Sequence, residues 1–128
     1  MINKPNIPEL CKDEIHDFIL ELVQKELNGI PEGYLCRKRD LCESILRCNK
    51  VAGYREEIKQ DVDDIIRNWG PKAHQITHLE SIGFRVTKGK KHYKIKWEGC
   101  PYNIVIAASA SDQRAAHNTA SDANRTFF

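Results

Sequence analysis

No apolar run in the 128 residues approaches the roughly 18 that a membrane span needs. Gly-rich phosphate loops and nucleophile elbows are missing. So is an H-E-x-x-H metal motif: His74 and His78 stand four apart, but no Glu follows His74 and no third ligand is evident, so both read as surface histidines. Met1 to Pro5 lacks the apolar stretch of a signal peptide. The cysteines, Cys11, Cys36, Cys42, Cys48 and Cys100, are odd in number and contain no C-x-x-C pair. A secreted disulfide framework is therefore not expected; free thiols in a reducing compartment are. Membrane, collagen-like, wholly disordered and repeat architectures are excluded. The expectation is a cytoplasmic protein with no cofactor and no metal.

What is present is enough apolar sequence for a real core, 41% of residues, and an uneven spread of charge. The net charge of +2 hides 11 Lys/Arg against 14 Asp/Glu in residues 1–70, and 9 against 4 in residues 71–128. From Arg85 to Lys96 there are six cations and no acid: Arg85, Lys88, Lys90, Lys91, Lys94 and Lys96. Such a cluster is the electrostatic footprint of nucleic-acid binding. It is also what an edge strand carries to block unwanted pairing. Charge alone leaves the two open.

Hydrophobic periodicity predicts three helices in the first 70 residues. Residues 8–28 repeat Ile15, Phe18, Ile19, Leu22, Val23 and Leu27 at helical spacing, with Asn28-Gly29 and Pro31 as the stop. A second helix spans about residues 34–48, with Leu41, Cys42 and Ile45 on its apolar face and the triplet Arg37-Lys38-Arg39 read as a solvated start. The short connection makes these two antiparallel neighbours. Cys36, Cys42 and Cys48 are six apart, a step of about 240° on a helix, and so do not share a face. A third helix runs from Tyr54 to Trp69 and stops at Gly70-Pro71, where the domain edge is expected.

The remainder changes character. A short helix over about residues 72–82 ends at Gly83. Phe84 to Thr87 is a strand, and Lys88-Gly89-Lys90 its turn. Lys91 to Trp97 alternates, with Tyr93, Ile95 and Trp97 on one side and His92, Lys94 and Lys96 on the other. Tyr102 to Ala107 forms a third strand. A last helix opens at Ser109 or Ser111 as N-cap, with Asp112 and Arg114 in its start. Ala116, Thr119, Ala120, Ala123 and Phe127 make a small-residue stripe suited to close packing on a sheet, with Arg114, His117, Asn118, Ser121 and Arg125 opposite. The predicted fold is α+β: a helical module over residues 1–70, then an α-β-β-β-α domain over residues 71–128 with a three-stranded antiparallel sheet.

That element order resembles both the double-stranded RNA-binding domain and the HicA-type messenger-RNA interferase toxins, and the junction Leu79-Glu80-Ser81-Ile82-Gly83-Phe84 and the segment Lys90-Lys91-His92-Tyr93-Lys94 resemble the toxins. Gly89 to Ile95 with Ser111-Asp112-Gln113-Arg114 and Asn118 is similar to bacterial proteins carrying a Gly-Lys-His-Tyr-Lys strand and a Ser-Asp-x-Arg-x-x-x-Asn helix start. The likeness covers about residues 72–128 and implies a bacterial or phage protein of a toxin–antitoxin type. Where the toxins have glycine and serine before the histidine, this chain has Lys90 and Lys91.

Three functions stay open. The first is non-catalytic binding of an RNA or DNA duplex, with Lys88, Lys90, Lys91, His92, Lys94, Lys96 and Arg114 contacting phosphate. The second, implied by the resemblance, is a metal-independent ribonuclease with His92 as general acid or base, His117 and Arg114 being the available helpers. The third is a protein-interaction module, such as a phage-encoded inhibitor. The N-terminal helices are expected to meet a protein partner or a second copy, because three helices of this length leave apolar stripes uncovered.

Overall fold

A left-handed residue sets where the first helix begins. In the computed structural model, which describes residues 3–108 and 113–128 (Gln113 by its backbone alone), Asp13 has φ 60°. An α-helix does not continue through that conformation. Helix α1 is therefore Glu14–Asn28 and does not reach back to Pro8. Two carboxylates secure this start: Glu9, ahead of the helix, accepts the Ile15 N–H of its first turn at 3.2 Å, and Glu14 reaches back to accept the Leu10 N–H at 2.9 Å. Helix α2 is Arg37–Cys48 and starts later than its periodicity suggests. Arg39, part of the triplet expected to be solvated, folds back to donate to the Pro31 and Tyr34 carbonyls, both at 2.8 Å. Lys38, at the start of α2, pairs with Glu26, near the end of α1, at 2.7 Å, and the two helices pack against each other.

Among the described residues the chain forms five helices and one three-stranded antiparallel sheet, a mixed α+β arrangement. It divides into two compact units, Met1–Arg55 and Glu56–Phe128. In the first, the buried apolar residues are Leu10, Leu20 and Cys42. Two buried polar residues organise it. Asp17 accepts the amides of Ala52 and Gly53, both at 2.9 Å, and a His16 ring nitrogen at 3.0 Å. Arg55 pairs with Glu21 and lies 5.6 Å from the centroid of the Phe18 ring.

The second unit takes all of helix α3 (Tyr54–Arg67) beyond Arg55. Its apolar stripe, Val62, Ile65 and Ile66, is buried together with Trp69. Helix α4 is Ala73–Ile82. The expected domain edge, Gly70-Pro71, is a tied junction inside this unit. The Gln75 side chain is buried there, accepts the Gly70 and Lys72 amides at 3.1 and 3.2 Å, and donates to the Asn68 carbonyl at 2.7 Å.

Strands β1 (Phe84–Lys88), β2 (His92–Trp97) and β3 (Asn103–Ala107) follow, with β2 in the centre. Helix α5 is Gln113–Phe127. Its small stripe works as its composition implies: Ala116, Ala120 and Ala123 are buried, and the helix lies against β3. The covered sheet face carries Phe84, Tyr93, Ile95, Ile104 and Ile106, all buried. Phe84 meets Trp97 and Phe127 edge-on at 5.5 and 5.1 Å, and Trp69 meets Tyr93 at 5.6 Å. Trp69 also donates its indole N–H to the Ala107 carbonyl at 3.1 Å. Helices α4 and α5 and Trp69, just past α3, thus serve one face, and the other is open.

Candidate nucleic-acid interface

Strand period decides what stands on the open face. Along β2 the exposures run exposed, buried, exposed, buried, exposed, partly buried. Tyr93 and Ile95 point into the core; His92, Lys94 and Lys96 point out. The antiparallel register extends these into rows across the sheet. Lys96 lies between Arg85 and Asn103, Lys94 between Thr87 and Val105, and His92 beside Ala107. Arg85, Thr87, Asn103 and Val105 are exposed as well.

The turn supplies the rest. Gly89 N–H donates to the His92 carbonyl at 2.7 Å and closes the β1–β2 hairpin; Ala108 N–H donates to the Lys91 carbonyl at 2.9 Å and secures its base. Lys90 and Lys91 are exposed in this turn. Lys88 pairs with Tyr93 and so has the parity of the covered face, yet at the end of its strand it too is exposed. Lys88, Lys90, Lys91, His92 and Lys94 line one open depression of ≈ 560 Å³. Lys96 lies outside it, in the row with Arg85.

Glu98, just past β2, pairs with Arg85 at 3.2 Å. Among the described residues, Lys88, Lys90, Lys91, Lys94 and Lys96 form no ion pair. Their position also bears on the edge-strand alternative. Lys94 and Lys96 are on the central strand, where they block no edge.

The other candidates are elsewhere. Arg114 is exposed in the first turn of α5, a helix on the covered face. His117 is on the same helix, with its Nδ1 3.0 Å from Arg67, which in turn donates to Asp63 at 2.7 Å. The sheet therefore separates His117 from His92, and the two-histidine arrangement a ribonuclease would use is not assembled. Ser109, Ser111 and Asp112, the expected cap of α5, fall outside the described residues. His78 lies 3.8 Å from Asp61 and His74 is exposed. No group of three His, Cys, Asp or Glu side chains suited to a metal occurs among the described residues.

Sequence reasoning singled out the lysines and passed over Thr87 and Asn103, which share their face. The signal was there: a tight turn at Gly89 with alternation on both sides sets the register, and the register names the neighbours. Comparisons with family models, curated proteins and solved structures find no match to this chain.

Proposed function

We propose that the chain binds the phosphate backbone of a nucleic-acid duplex through the β1–β2 hairpin and the open sheet face, without catalysis. The observation that carries this is the row of cations on the central strand, Lys94 and Lys96, continued by Lys88, Lys90 and Lys91 at the turn, which form no ion pair among the described residues. A lysine ammonium is a point charge with no planar fork for a base edge, so the recognition is of backbone and shape. The open face offers Arg85, Thr87, His92, Lys94, Lys96, Asn103 and Val105 and no Phe, Tyr or Trp. Sheets that hold single strands stack bases on several rings, and this face has the His92 imidazole alone. A duplex is therefore the better fit. Arg114 is left out of this surface because α5 packs on the opposite face of the sheet.

The test is fluorescence anisotropy of labelled duplex RNA, duplex DNA and a single strand at several salt concentrations, with the strands run on a denaturing gel afterwards. Binding should favour a duplex and leave strands intact. Lys91→Glu combined with Lys94→Glu should weaken it at least about tenfold, while His92→Ala is tolerated. The ribonuclease alternative, a HicA-like toxin, makes the opposite prediction: strands are cut, and His92→Ala abolishes the cutting without unfolding the protein. No binding to any strand at about 0.1 M salt would sink both and leave a protein-interaction module.

A further inference from the structure

We infer that the α1–α2 hairpin is an interface between two copies of this chain. The first unit leaves much of its apolar surface in solvent. On α1, Phe18 is 45% exposed, Ile19 36% and Leu22 49%; on α2, Leu41 is 46% exposed and Ile45 40%. Against them, the buried apolar residues of that unit are, among the described residues, Leu10, Leu20 and Cys42. A unit of this size rarely stands on so small a core unless disulfides, a metal or association help it. All five cysteines are free, and no metal-binding cluster occurs among the described residues. Association with a second copy would supply the missing burial.

The five exposed side chains form one surface. Phe18 and Leu22 are one turn apart with Ile19 beside them, and Leu41 and Ile45 are one turn apart. Glu26 continues the Leu22 side of α1 by a further turn, and Lys38 precedes Leu41 by a turn on α2. The Glu26–Lys38 ion pair therefore joins the two stripes along the same side of the hairpin. Exposed Cys48, three residues after Ile45, extends the α2 stripe.

Area and charge both point to a second copy as the occupant. Side chains of this size at these exposures present on the order of 400 Å² of apolar surface. That approaches the apolar share of the roughly 800 Å² each partner contributes to a standard interface. Residues 1–55 carry nine Lys/Arg and nine Asp/Glu, a net charge of zero, so two copies meet without repulsion and no strongly charged partner is favoured. A helical hairpin set against its twin about a two-fold axis gives a four-helix bundle, in which each side chain is buried twice.

The test is sedimentation velocity of the full chain, freed of nucleic acid, at about 0.5 M salt, where phosphate contacts are weak. This separates it from the duplex-binding proposal. The expected species has twice the 14.7 kDa chain mass at concentrations up to about 100 μM. Leu22→Lys with Ile45→Lys should raise the dimer dissociation constant at least about thirtyfold and keep the parent's helix content, while the melting temperature falls because association no longer stabilises the folded chain. A parent that stays monomeric overturns the inference, and so does a dimer that survives in the folded variant. If the variant fails to fold, hydrogen exchange of the parent decides. Amides of α1 and α2 slowed as concentration rises support the interface, and slowing confined to other elements overturns it.

Discussion

Gly83 stands hard against the core of the second unit. Its φ is 122°, and a Cβ placed there would run into the Trp97 ring. The ring is wedged edge-on against Phe84, so it has little room to yield. Gly83→Ala should cost about 3 kcal/mol or more, the sum of backbone strain and a forced shift in the core. Gly33→Ala, at φ 77° with nothing within 4 Å of its Cβ, should cost only the strain, about 1–2 kcal/mol, by urea denaturation. Asp17 is the counterpart in the first unit. Burial alone would push its carboxyl up; the Ala52 amide, the His16 ring and the Gly53 amide outweigh that and hold it below the usual carboxylate range. Its folded form thus favours the carboxylate more than the unfolded chain does, so its contribution is whole above about pH 4 and disappears as pH falls through the lowered value. Asp17→Asn should lose about 2 kcal/mol at neutral pH, and the gap between parent and variant in urea melts should narrow on acidification toward pH ~3. A gap that stays constant with pH would mean the carboxylate charge is not what holds residues 52 and 53. The Cys11 thiol, pushed up to about 11 by burial and then by the carboxylates of Glu14, Asp17 and Glu9, should react far more slowly with alkylating reagents than exposed Cys48.

Among the elements, the α3–α4 junction shows how one side chain turns a sequence break into a rigid corner. Gly70-Pro71 ends a helix, yet three hydrogen bonds through Gln75 tie the end of α3 to the start of α4. Gln75→Leu keeps the volume and strands two amides and a carbonyl. It should destabilise the second unit by about 2–3 kcal/mol and raise protease cutting near Gly70. An unchanged melting temperature would show the corner is held by the apolar packing of Trp69 instead. Strand β2 does the opposite work. One side supplies the core through Tyr93 and Ile95, and the other carries charge through His92, Lys94 and Lys96. Because β2 is central, substitutions on its outer side leave the covered face intact, which makes the lysine variants clean tests of function.

For the whole molecule, the relevant charge is local. The net value of +2 at pH 7 would scarcely attract a polyanion, but five lysines without ion-pair partners among the described residues stand on or beside one hairpin. If all five meet duplex phosphates, log affinity against log salt should fall with a slope of about −4.5. Replacing Lys94 and Lys96 by Gln should make it shallower by about 2. A slope unaltered by these changes would mean the phosphates are held elsewhere on the chain. The exposed apolar side chains follow a different distribution and gather in the first unit, so polyanion binding and self-association draw on different residues.

Much of the architecture was legible because period is a local property. The alternation through Lys91 to Trp97, the small stripe Ala116-Ala120-Ala123 and the Gly83 stop each express their element within a few residues, and all three stand as read. The lysine cluster was legible for the same reason, as composition. What local pattern does not contain is partnership. That most of α3 belongs to the unit of the sheet and the units divide at Arg55, that Gly70-Pro71 is tied by Gln75, that Arg39 clamps carbonyls, and that Thr87 and Asn103 stand beside the lysines all depend on contacts between distant segments. The separation of His92 from His117 is of this kind. Both residues were visible in the sequence, but only the side of the sheet on which α5 packs decided that they do not meet.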